Sequence, residues 1–244
     1  MRIADLGGAA LLASIALTPP AVAQAPPDAA ARTFELRPRD GMTPQFEAGY
    51  RRHLDWHVGA GDPWAWYLWQ IADGERVGLF VDGTFGHAWA DFDRSVRPAE
   101  DGADNARNVE PFVIRTGAQA WAAVPGLGGG AVDPEAAPLV VRIEYRLRPG
   151  SEAGFVQSLR RLRSPSTRVP AVFRLVSGGE SPTYVLWIPA STWREVAASA
   201  DVPGDQASAT AIRRELWRFR PDLSICRRRA SRCHRTLGER LSLD

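Results

Sequence analysis

Lysine is absent from this 244-residue chain, because all 30 of its basic residues are arginine. Alanine, glycine and proline are abundant, a composition typical of a GC-rich genome. The arginines alone therefore do not indicate phosphate binding. The formal net charge of +2 is too small to indicate a polyanionic partner for the chain as a whole.

Long apolar runs are missing after the first 25 residues. The apolar run from Leu6 to Leu17 has about 12 residues, fewer than the roughly 20 that cross a bilayer. It follows the basic Arg2 and precedes small residues that end at Ala25, the pattern of a secretory signal peptide. We therefore predict that residues 1–25 are a signal peptide, that the mature chain has no membrane span, and that the protein is periplasmic or secreted in a bacterium.

Cysteine is also scarce, since Cys226 and Cys233 are the only two. In an exported chain such a pair most simply forms a disulfide. Seven residues of straight helix span about 10.5 Å, more than the roughly 7 Å allowed between bridged Cα atoms, so this disulfide requires a bend or loop. A metal site that adds His234 is the alternative, although its spacing matches no common zinc pattern.

The C-terminal end is basic, with ten arginines against four acidic residues from Arg213 to Asp244. We assign residues 224–244 to a basic tail that carries the cysteine pair. In an exported protein such a tail is typically solvated and contacts envelope polymers. We expect no nucleic-acid partner.

Several catalytic signatures are absent as well. The chain has no nucleophile elbow, no P-loop, no GxGxxG after a strand and no HExxH. The GLGGG run at 126–130 lies in a Gly- and Pro-rich segment without a strand-to-helix context, so it does not indicate a phosphate site. No motif therefore identifies a reaction.

What the sequence does contain is an internal repeat. With a shift of 109 residues, FELRPRDG at 34–41 aligns with IEYRLRPG at 143–150, and after a short indel EPFVIR aligns with ELWRFR. We therefore divide the mature chain into two units, 27–122 and 139–223, joined by a Gly/Pro linker at 123–138.

Both units show the same order of predicted elements, β-α-β-β-α-β. In the first unit, Thr43 is a plausible N-cap of the first helix with Pro44 at its first position, and Gly59 marks its end. The middle strands are PWAWYLWQI and RVGLFV. The second helix is predicted to begin near Thr84, and its counterpart in the second unit near Thr192.

This order of elements is that of a ferredoxin-like unit, in which both helices cover one face of a four-stranded antiparallel sheet. The strand WAWYLWQI is apolar on both sides, with Trp66 and Leu68 on one side and Tyr67 and Trp69 on the other. One side can pack under the helices, and the other must meet a second sheet. The predicted fold class is α+β, with two tandem ferredoxin-like units packed sheet to sheet.

The stretch PAVFRLVSGGESPTYVLWIPASTWREVAASAD resembles the second half of a dimeric α/β-barrel domain, as in the antibiotic-biosynthesis-monooxygenase-like and NIPSNAP-like proteins. More closely, the chain resembles exported bacterial proteins that carry two such units in tandem and have no assigned activity. The resemblance covers nearly all of the mature chain and implies an intramolecular dimeric α/β barrel. The superfamily includes cofactor-free monooxygenases, haem enzymes and isomerases, so the resemblance does not select a reaction.

Two histidines four residues apart are the main candidates for function. On a helical wheel His53 and His57 both lie in the apolar stripe of the first helix. The repeat places Leu162 and Ser166 at the corresponding positions of the second unit. Asp55 lies on the opposite side of the wheel, so we do not expect it to orient either ring.

Two interpretations of His53 and His57 remain open. In the first, they are buried structural residues that hydrogen-bond to polar groups and pack against Trp64 or Trp66. In the second, they line a cleft between helix and sheet and act in acid/base catalysis or as ligands of a metal or haem. Two histidines make an incomplete metal site, since catalytic zinc generally has three protein ligands, so no metal site is predicted. His87 is expected at the start of the second helix.

We expect the first unit to bind a small apolar or aromatic ligand, with monooxygenase-like or other acid/base activity. The candidate catalytic residues are His53 and His57, and the candidate ligand-binding residues are Tyr50, Trp64, Trp66 and His87. No resident cofactor is expected, with haem or a metal as the alternative. The other function considered is a non-catalytic structural or interaction module of the cell envelope. The chain is expected to be a monomeric pseudodimer or a homodimer.

Overall fold

The computed structural model describes residues 29–128, 134, 137–161, 170–201, 207–226 and 231–233. The predicted signal peptide, most of the predicted linker and most of the basic tail lie outside these residues. Leu162, Ser166 and His234 lie outside them too, so the expected contrast between the two first helices is not described at these positions. Within the described residues, no helix is long and apolar enough to span a membrane.

The secondary-structure elements alternate between strands and helices in both halves of the chain. In order they are β1 Ala30–Pro38, α1 Thr43–Ala60, β2 Tyr67–Asp73, β3 Phe80–His87, α2 Pro98–Asn108, β4 Val113–Ala123, β5 Leu139–Leu147, α3 Glu152–Arg161, β6 Ala171–Ser177, β7 Thr183–Ala190, α4 Trp193–Ala198, β8 Ala209–Phe219, β9 Ile225–Cys226 and β10 Ser231–Arg232. Short 3₁₀ turns follow β3 at Trp89–Arg94 and precede β4 at Glu110–Phe112.

Eight of these strands form one closed antiparallel barrel in the order β1-β3-β2-β8-β5-β7-β6-β4, with β4 pairing back onto β1. The two halves join edge to edge, through β2–β8 and β4–β6. The expected α/β barrel is therefore present, and edge pairing satisfies the backbone groups that two sheets packed only face to face would leave exposed.

Alternation along the strands separates the barrel interior from its outer surface. On β2, Tyr67, Trp69 and Ile71 point inward into a cluster that includes Trp187 and Trp217. Leu68, on the opposite side of β2, packs under α1. The prediction that this strand is apolar on both sides is confirmed, since one side fills the barrel and the other faces the helices.

An ion network occupies part of the barrel interior. Arg76, from the β2–β3 turn, donates to Glu35 on β1 and makes two hydrogen bonds of 2.7 and 2.8 Å to Glu215 on β8. Trp217 Nε1 donates to the same Glu215 at 2.9 Å. Burial alone would raise the pKa of Glu215, but the bonds from Arg76 and Trp217 hold it below its usual range. Each buried carboxylate in this network therefore has a cationic donor.

Several predicted boundaries are wrong. Residue Thr84 lies inside β3, which continues to His87, and the second helix begins only at Pro98. The N-cap of α1 is Met42 rather than Thr43, and α1 runs past Gly59. The prediction at Thr192 is confirmed, since its side chain accepts a hydrogen bond from the backbone N–H of Glu195 at 3.2 Å.

The predicted disulfide between Cys226 and Cys233 is present, with the two Cα atoms 5.2 Å apart. The required bend is a hairpin, because β9 pairs with β10 so that Cys226 lies opposite Ser231. Ile225 on β9 also exchanges two backbone hydrogen bonds with Trp66, of 2.7 and 3.1 Å. The disulfide hairpin therefore packs beside the entry to β2.

Candidate functional site

Helix α1 presents its buried face to the outer surface of the barrel. Phe46, Tyr50, His53 and His57 lie on this face and are all buried. The helix ends in a left-handed Gly61, with φ of 70°, whose N–H bonds to the carbonyls of the last turn. This turn brings Asp62 back towards the helix, close to His57.

Helix α2 lies against α1, and a glycine permits the close approach. A Cβ atom at Gly49 would lie 1.8 Å from the carbonyl oxygen of Asn108, at the end of α2. The side of α2 that faces α1 is polar, with residues at helical spacing: Asp101, Asp104, Asn105 and Asn108. The two helices therefore meet through polar groups rather than through an apolar seam.

The imidazole of His53 is held by α2. Its Nδ1 lies 2.9 Å from Asp104 Oδ1, and Asn108 Nδ2 donates to the other oxygen of Asp104 at 3.0 Å. On its other side, Nε2 lies 3.4 Å from Asp101 Oδ1 and 3.4 Å from the side-chain nitrogen of Asn105. Burial is the main reason that the pKa of His53 is lowered, and the neighbouring His57 adds to it.

The imidazole of His57 is held by the turn after α1. Its Nδ1 lies 2.7 Å from Asp62 Oδ2, which also accepts a 3.0 Å hydrogen bond from Trp66 Nε1. The backbone N–H of Trp64 donates to Asp62 Oδ1 at 2.9 Å. Burial alone would raise the pKa of Asp62, but these three hydrogen bonds hold it below its usual range.

The two histidines converge on one carboxylate oxygen. His53 Nε2 and His57 Nε2 lie 3.4 and 3.5 Å from Asp101 Oδ1. The Asp101 side chain is 36% exposed, but its Oδ1 is buried and accepts no hydrogen bond within the described part of the chain. One ligand atom from each of these three residues lies within 4.8 Å of the others, a spacing that a metal ion could bridge.

A cleft of about 210 Å³ opens beside this group, between α1, α2 and the outer face of the barrel. Its residues come from seven elements or turns: Phe34, Leu36, Tyr50, His53, Leu54, His57, Trp66, Asp82, Asp101, Gly102, Asn105, Glu110 and Arg115. Phe34 lies between two arginines, with Arg32 5.0 Å and Arg115 5.6 Å from its ring centre. The cleft thus has apolar walls and a strongly polar end.

A second carboxylate lies deeper in the cleft. Asp82, on β3, accepts a hydrogen bond from the hydroxyl of Tyr50, and its Oδ1 is buried with no hydrogen-bond partner among the described residues. Burial raises the pKa of Asp82 to about 6, although Tyr50, His57 and Arg115 act to lower it. Burial and the nearby Asp82 raise the pKa of Tyr50, so this hydroxyl stays protonated.

Haem does not fit this cleft. The volume of about 210 Å³ is below the roughly 300–1,000 Å³ of pockets that enclose drug-sized ligands, and a haem is larger than most such ligands. The space suits a ligand of about one ring instead.

The predicted site residues divide into two groups. Tyr50, His53, His57 and Trp66 line the cleft. Trp64 and His87 are not among its lining residues. His87 lies at the end of β3, with its ring 4.5 Å from that of Trp64. The Nε2 atom of His87 contacts Thr84 Oγ1 at 2.5 Å. We expected His87 at the start of a helix, but it lies in an aromatic cluster with Trp64 and Phe92.

Sequence reasoning missed the carboxylates Asp62, Asp82, Asp101 and Asp104. Asp101 and Asp104 were missed because the second helix was predicted to begin too early. The available signal was the polar spacing of Asp101, Asp104, Asn105 and Asn108 on one side of α2, which matches the spacing of His53 and His57 on α1.

No known protein-family model matches this sequence, and no curated protein matches it. Solved structures do match. An anthrone oxidase-like protein has a TM-score of 0.55 and 11% identity, over 81% of this chain and 93% of that one. A proposed monooxygenase from Lactobacillus acidophilus has a TM-score of 0.52 and 8% identity, over 82% and 97%.

A variant of the chlorite dismutase from Candidatus Nitrospira defluvii also matches, with a TM-score of 0.53 and 7% identity, over 80% of this chain and 92% of that one. At such identities these similarities establish a shared fold and no shared chemistry. The chain therefore shares its α+β fold, with a closed antiparallel barrel, with these proteins, and the sequence resemblance implied a fold of this kind.

Proposed function

We propose that the cleft between α1, α2 and the barrel binds a small aromatic or apolar compound that carries a hydroxyl group. The observation that carries this proposal is Asp82, a carboxylate with one buried oxygen that lacks a donor. Phe34, Leu36 and Trp66 provide apolar walls for a ring. A buried acceptor without a partner favours a ligand that brings a donor, because an unsatisfied polar group costs about 1–3 kcal/mol.

Asp82 and the neighbouring Tyr50 also support acid/base chemistry in the cleft. A carboxyl with a pKa of about 6 is ionised at neutral pH and is a stronger base than an ordinary aspartate. When the bound hydroxyl is acidic, its O–H bond breaks, the proton passes to Asp82 Oδ1 and the ligand keeps the electron pair as an oxyanion. The hydroxyl of Tyr50 donates a hydrogen bond to the same carboxyl group.

Monooxygenase-like activity is compatible with the fold of the structural neighbours, one of which is a proposed monooxygenase. The neighbours support the fold, and the residues of the cleft support ligand binding and proton transfer. An open cleft lined by Tyr50, His53, His57 and Trp66 supports a ligand site over a structural module, in which this space would be filled.

We also propose that the chain consists of two copies of one ferredoxin-like unit and acts outside the cytoplasm. The strand orders β4-β1-β3-β2 and β8-β5-β7-β6 support the duplication. The disulfide between Cys226 and Cys233 supports an oxidising compartment. Mass spectrometry of the protein purified from cell fractions tests export, since the mature chain should lack residues 1–25.

The ligand proposal is tested with 4-methylphenol and its methyl ether, 4-methylanisole. The phenol has a hydroxyl group that can donate a hydrogen bond, and the ether has none. We expect the phenol to bind about tenfold more tightly than the ether at pH 7, since a hydrogen bond to a charged group contributes about 1.5–3 kcal/mol. The preference should fall below about pH 6, where Asp82 is protonated. Isothermal titration calorimetry at pH 5 and pH 7 measures both effects.

The matched variants are Asp82→Asn and the exposed Glu100→Gln, whose side chain is 62% exposed. Asp82→Asn should remove most of the phenol preference and its pH dependence, and Glu100→Gln should change neither. Equal affinities for phenol and ether in the unmodified protein, or the absence of binding by both, would contradict the proposed ligand class.

A further inference from the structure

The group formed by His53, His57 and Asp101 brings three hydrogen-bond acceptors together with no donor among them. We propose that these residues bind a divalent transition-metal ion through His53 Nε2, His57 Nε2 and Asp101 Oδ1. The proposal concerns the same cleft as the organic ligand but does not depend on it, since it rests on three atoms that are separate from Asp82.

The hydrogen-bond network assigns the protons of the two imidazoles. His53 Nδ1 faces Asp104 at 2.9 Å, and His57 Nδ1 faces Asp62 at 2.7 Å. Ionised carboxylates only accept hydrogen bonds, so each Nδ1 carries a hydrogen, and a neutral imidazole then presents a lone pair at Nε2. Both lone pairs point to the region of Asp101 Oδ1, which is itself a buried acceptor without a donor.

Three acceptor atoms that face one another repel, and a positive charge between them would remove this repulsion. The spacing of the three atoms also fits a metal ion. With bonds of about 2.0–2.1 Å, the ligand atoms of a tetrahedral site lie about 3.3 Å apart. The two Nε2 atoms lie 3.4 and 3.5 Å from Asp101 Oδ1. Histidines four residues apart on one face of a helix supply two neighbouring ligands of such a site. Asn105 Nδ2 lies 3.4 Å from His53 Nε2, a long hydrogen bond that a metal–nitrogen bond would replace.

The surroundings of the two histidines are those of metal ligands. Metal-binding histidines generally donate their second N–H to a carboxylate, which fixes the ring and raises its basicity. Here both do so, and the two carboxylates are themselves held: Asp62 by Trp64 and Trp66, and Asp104 by Asn108. Asp62 and Asp104 are therefore positioning residues for the proposed site.

Two imidazoles and one carboxylate select a class of metal. This set suits Zn²⁺, Fe²⁺ and Co²⁺ rather than Ca²⁺ or Mg²⁺, which prefer oxygen ligands. Three protein ligands leave at least one coordination position open, as in catalytic rather than structural sites. Since the three residues line the cleft, the open position faces the space in which a small ligand would bind.

The test is metal binding by the untagged mature chain after treatment with EDTA, with Zn²⁺ as the titrant in calorimetry and Co²⁺ as the optical probe. We expect one Zn²⁺ per chain with a Kd below about 1 μM, and Co²⁺ d–d absorption bands of the intensity typical of a four- or five-coordinate ion. Cys226 and Cys233 are joined in a disulfide, so they provide no competing thiolates.

Three variants separate the proposed site from adventitious binding. Asp101→Asn keeps the shape of the side chain and should weaken Zn²⁺ binding at least 100-fold. Glu100→Gln removes the neighbouring carboxylate on the same turn of α2 and should have no effect. Asp62→Asn should weaken binding about 10- to 100-fold, as loss of an orienting carboxylate does, and should alter the Co²⁺ spectrum.

Unchanged affinity in Asp101→Asn, equal losses in Asp101→Asn and Glu100→Gln, or a Kd above about 100 μM in the unmodified chain would overturn the proposal. The converging atoms would then hold a proton, as an ion pair between one imidazolium and Asp101. Loss of metal binding leaves the phenol preference at Asp82 to be measured separately, so each proposal can fail without the other.

Discussion

The barrel interior and the cleft outside it contain the same kinds of side chain but balance their charges differently. Inside the barrel, Glu35 and Glu215 share Arg76, and Trp217 adds a further donor. In the cleft, Asp82 Oδ1 and Asp101 Oδ1 are buried acceptors without donors in the described part of the chain, whereas the buried side-chain atoms without partners inside the barrel, Trp69 Nε1 and Arg142 Nη1, are donors. Both regions are lined with aromatic rings, so apolar packing does not distinguish them.

The difference indicates which region contributes to stability and which to function. A buried charge with its partners removed destabilises a fold strongly, so the interior network should be sensitive to the loss of any member. An unsatisfied acceptor already costs free energy, and proteins keep such groups mainly where a ligand or a reaction requires them. Substitutions in the two regions should therefore change stability in opposite directions.

The largest change in the free energy of unfolding is expected from Arg76→Met in the barrel interior. The substitution keeps much of the side-chain volume but leaves Glu35 and Glu215 without their cation, and the Glu215 side chain is fully buried. The free energy of unfolding should fall by about 3–5 kcal/mol. Urea denaturation at pH 7 measures this loss.

Arg97→Met is the matched control, since Arg97 pairs with Glu100 on the surface and both side chains are more than half exposed. A surface ion pair contributes at most about 1 kcal/mol, so stability should hardly change. Equal effects of the two arginine substitutions would contradict the contrast between a buried, balanced network and the surface.

The next largest loss of stability is expected from a substitution at the contact between α1 and α2. Gly49→Ala places a Cβ atom 1.8 Å from the backbone oxygen of Asn108, so α2 must move, and we expect a loss of about 1–3 kcal/mol. Because α2 carries Asp101 and Asp104, Zn²⁺ affinity should fall with it. Thermal unfolding and zinc titration of the same variant measure the two effects.

Gly59→Ala provides the control within the same helix, since nothing lies within 4 Å of a Cβ atom there. Alanine is favoured over glycine inside a helix by about 0.5–1 kcal/mol, so this variant should be slightly more stable. A destabilised Gly59→Ala, or an unaffected Gly49→Ala, would show that the helix contact is not limited by the space at Gly49.

These contrasts also show what the sequence could and could not predict. The strand pattern and the buried positions of His53 and His57 follow from periodicity, because each pattern is local to one element. Asp101 and Asp104 become part of the site only through the packing of α2 on α1, which is permitted by Gly49 and depends on residues about 50 positions apart. No local pattern encodes such a contact, so the sequence predicted half of the site.

A smaller effect of opposite sign is expected from Asp82→Asn in the cleft. The pKa of Asp82 is raised to about 6, so the native state binds this proton more tightly than the unfolded chain, and stability from this group is lost as the pH rises from about 4 to above 6. Asn carries no charge and avoids that loss. The variant should be more stable than the unmodified protein by about 1–2 kcal/mol at pH 8 and equal to it at pH 4.

Asp222→Asn should show the reverse effect: the variant should be less stable than the unmodified protein at neutral pH. Burial alone would raise the pKa of Asp222, but Arg220 and Arg51 lower it to about 2, so its stabilising effect is present above about pH 4 and lost as the pH falls towards 2. Urea denaturation from pH 3 to pH 8 compares the two variants. A gain for Asp82→Asn that does not depend on pH would assign it to altered packing instead of charge.

The smallest effect is expected from Asp101→Asn without metal. The amide can donate to a histidine lone pair where the carboxylate could only accept, so the metal-free variant should be as stable as the unmodified protein or more stable by up to about 1 kcal/mol. Zn²⁺ at 100 times its Kd should stabilise the unmodified protein by about 2.7 kcal/mol and the variant far less. Thermal unfolding in EDTA and in Zn²⁺ measures both. A variant that loses more than about 1 kcal/mol in EDTA would show that Asp101 pairs with a protonated histidine, and the cleft would then be as balanced as the barrel interior.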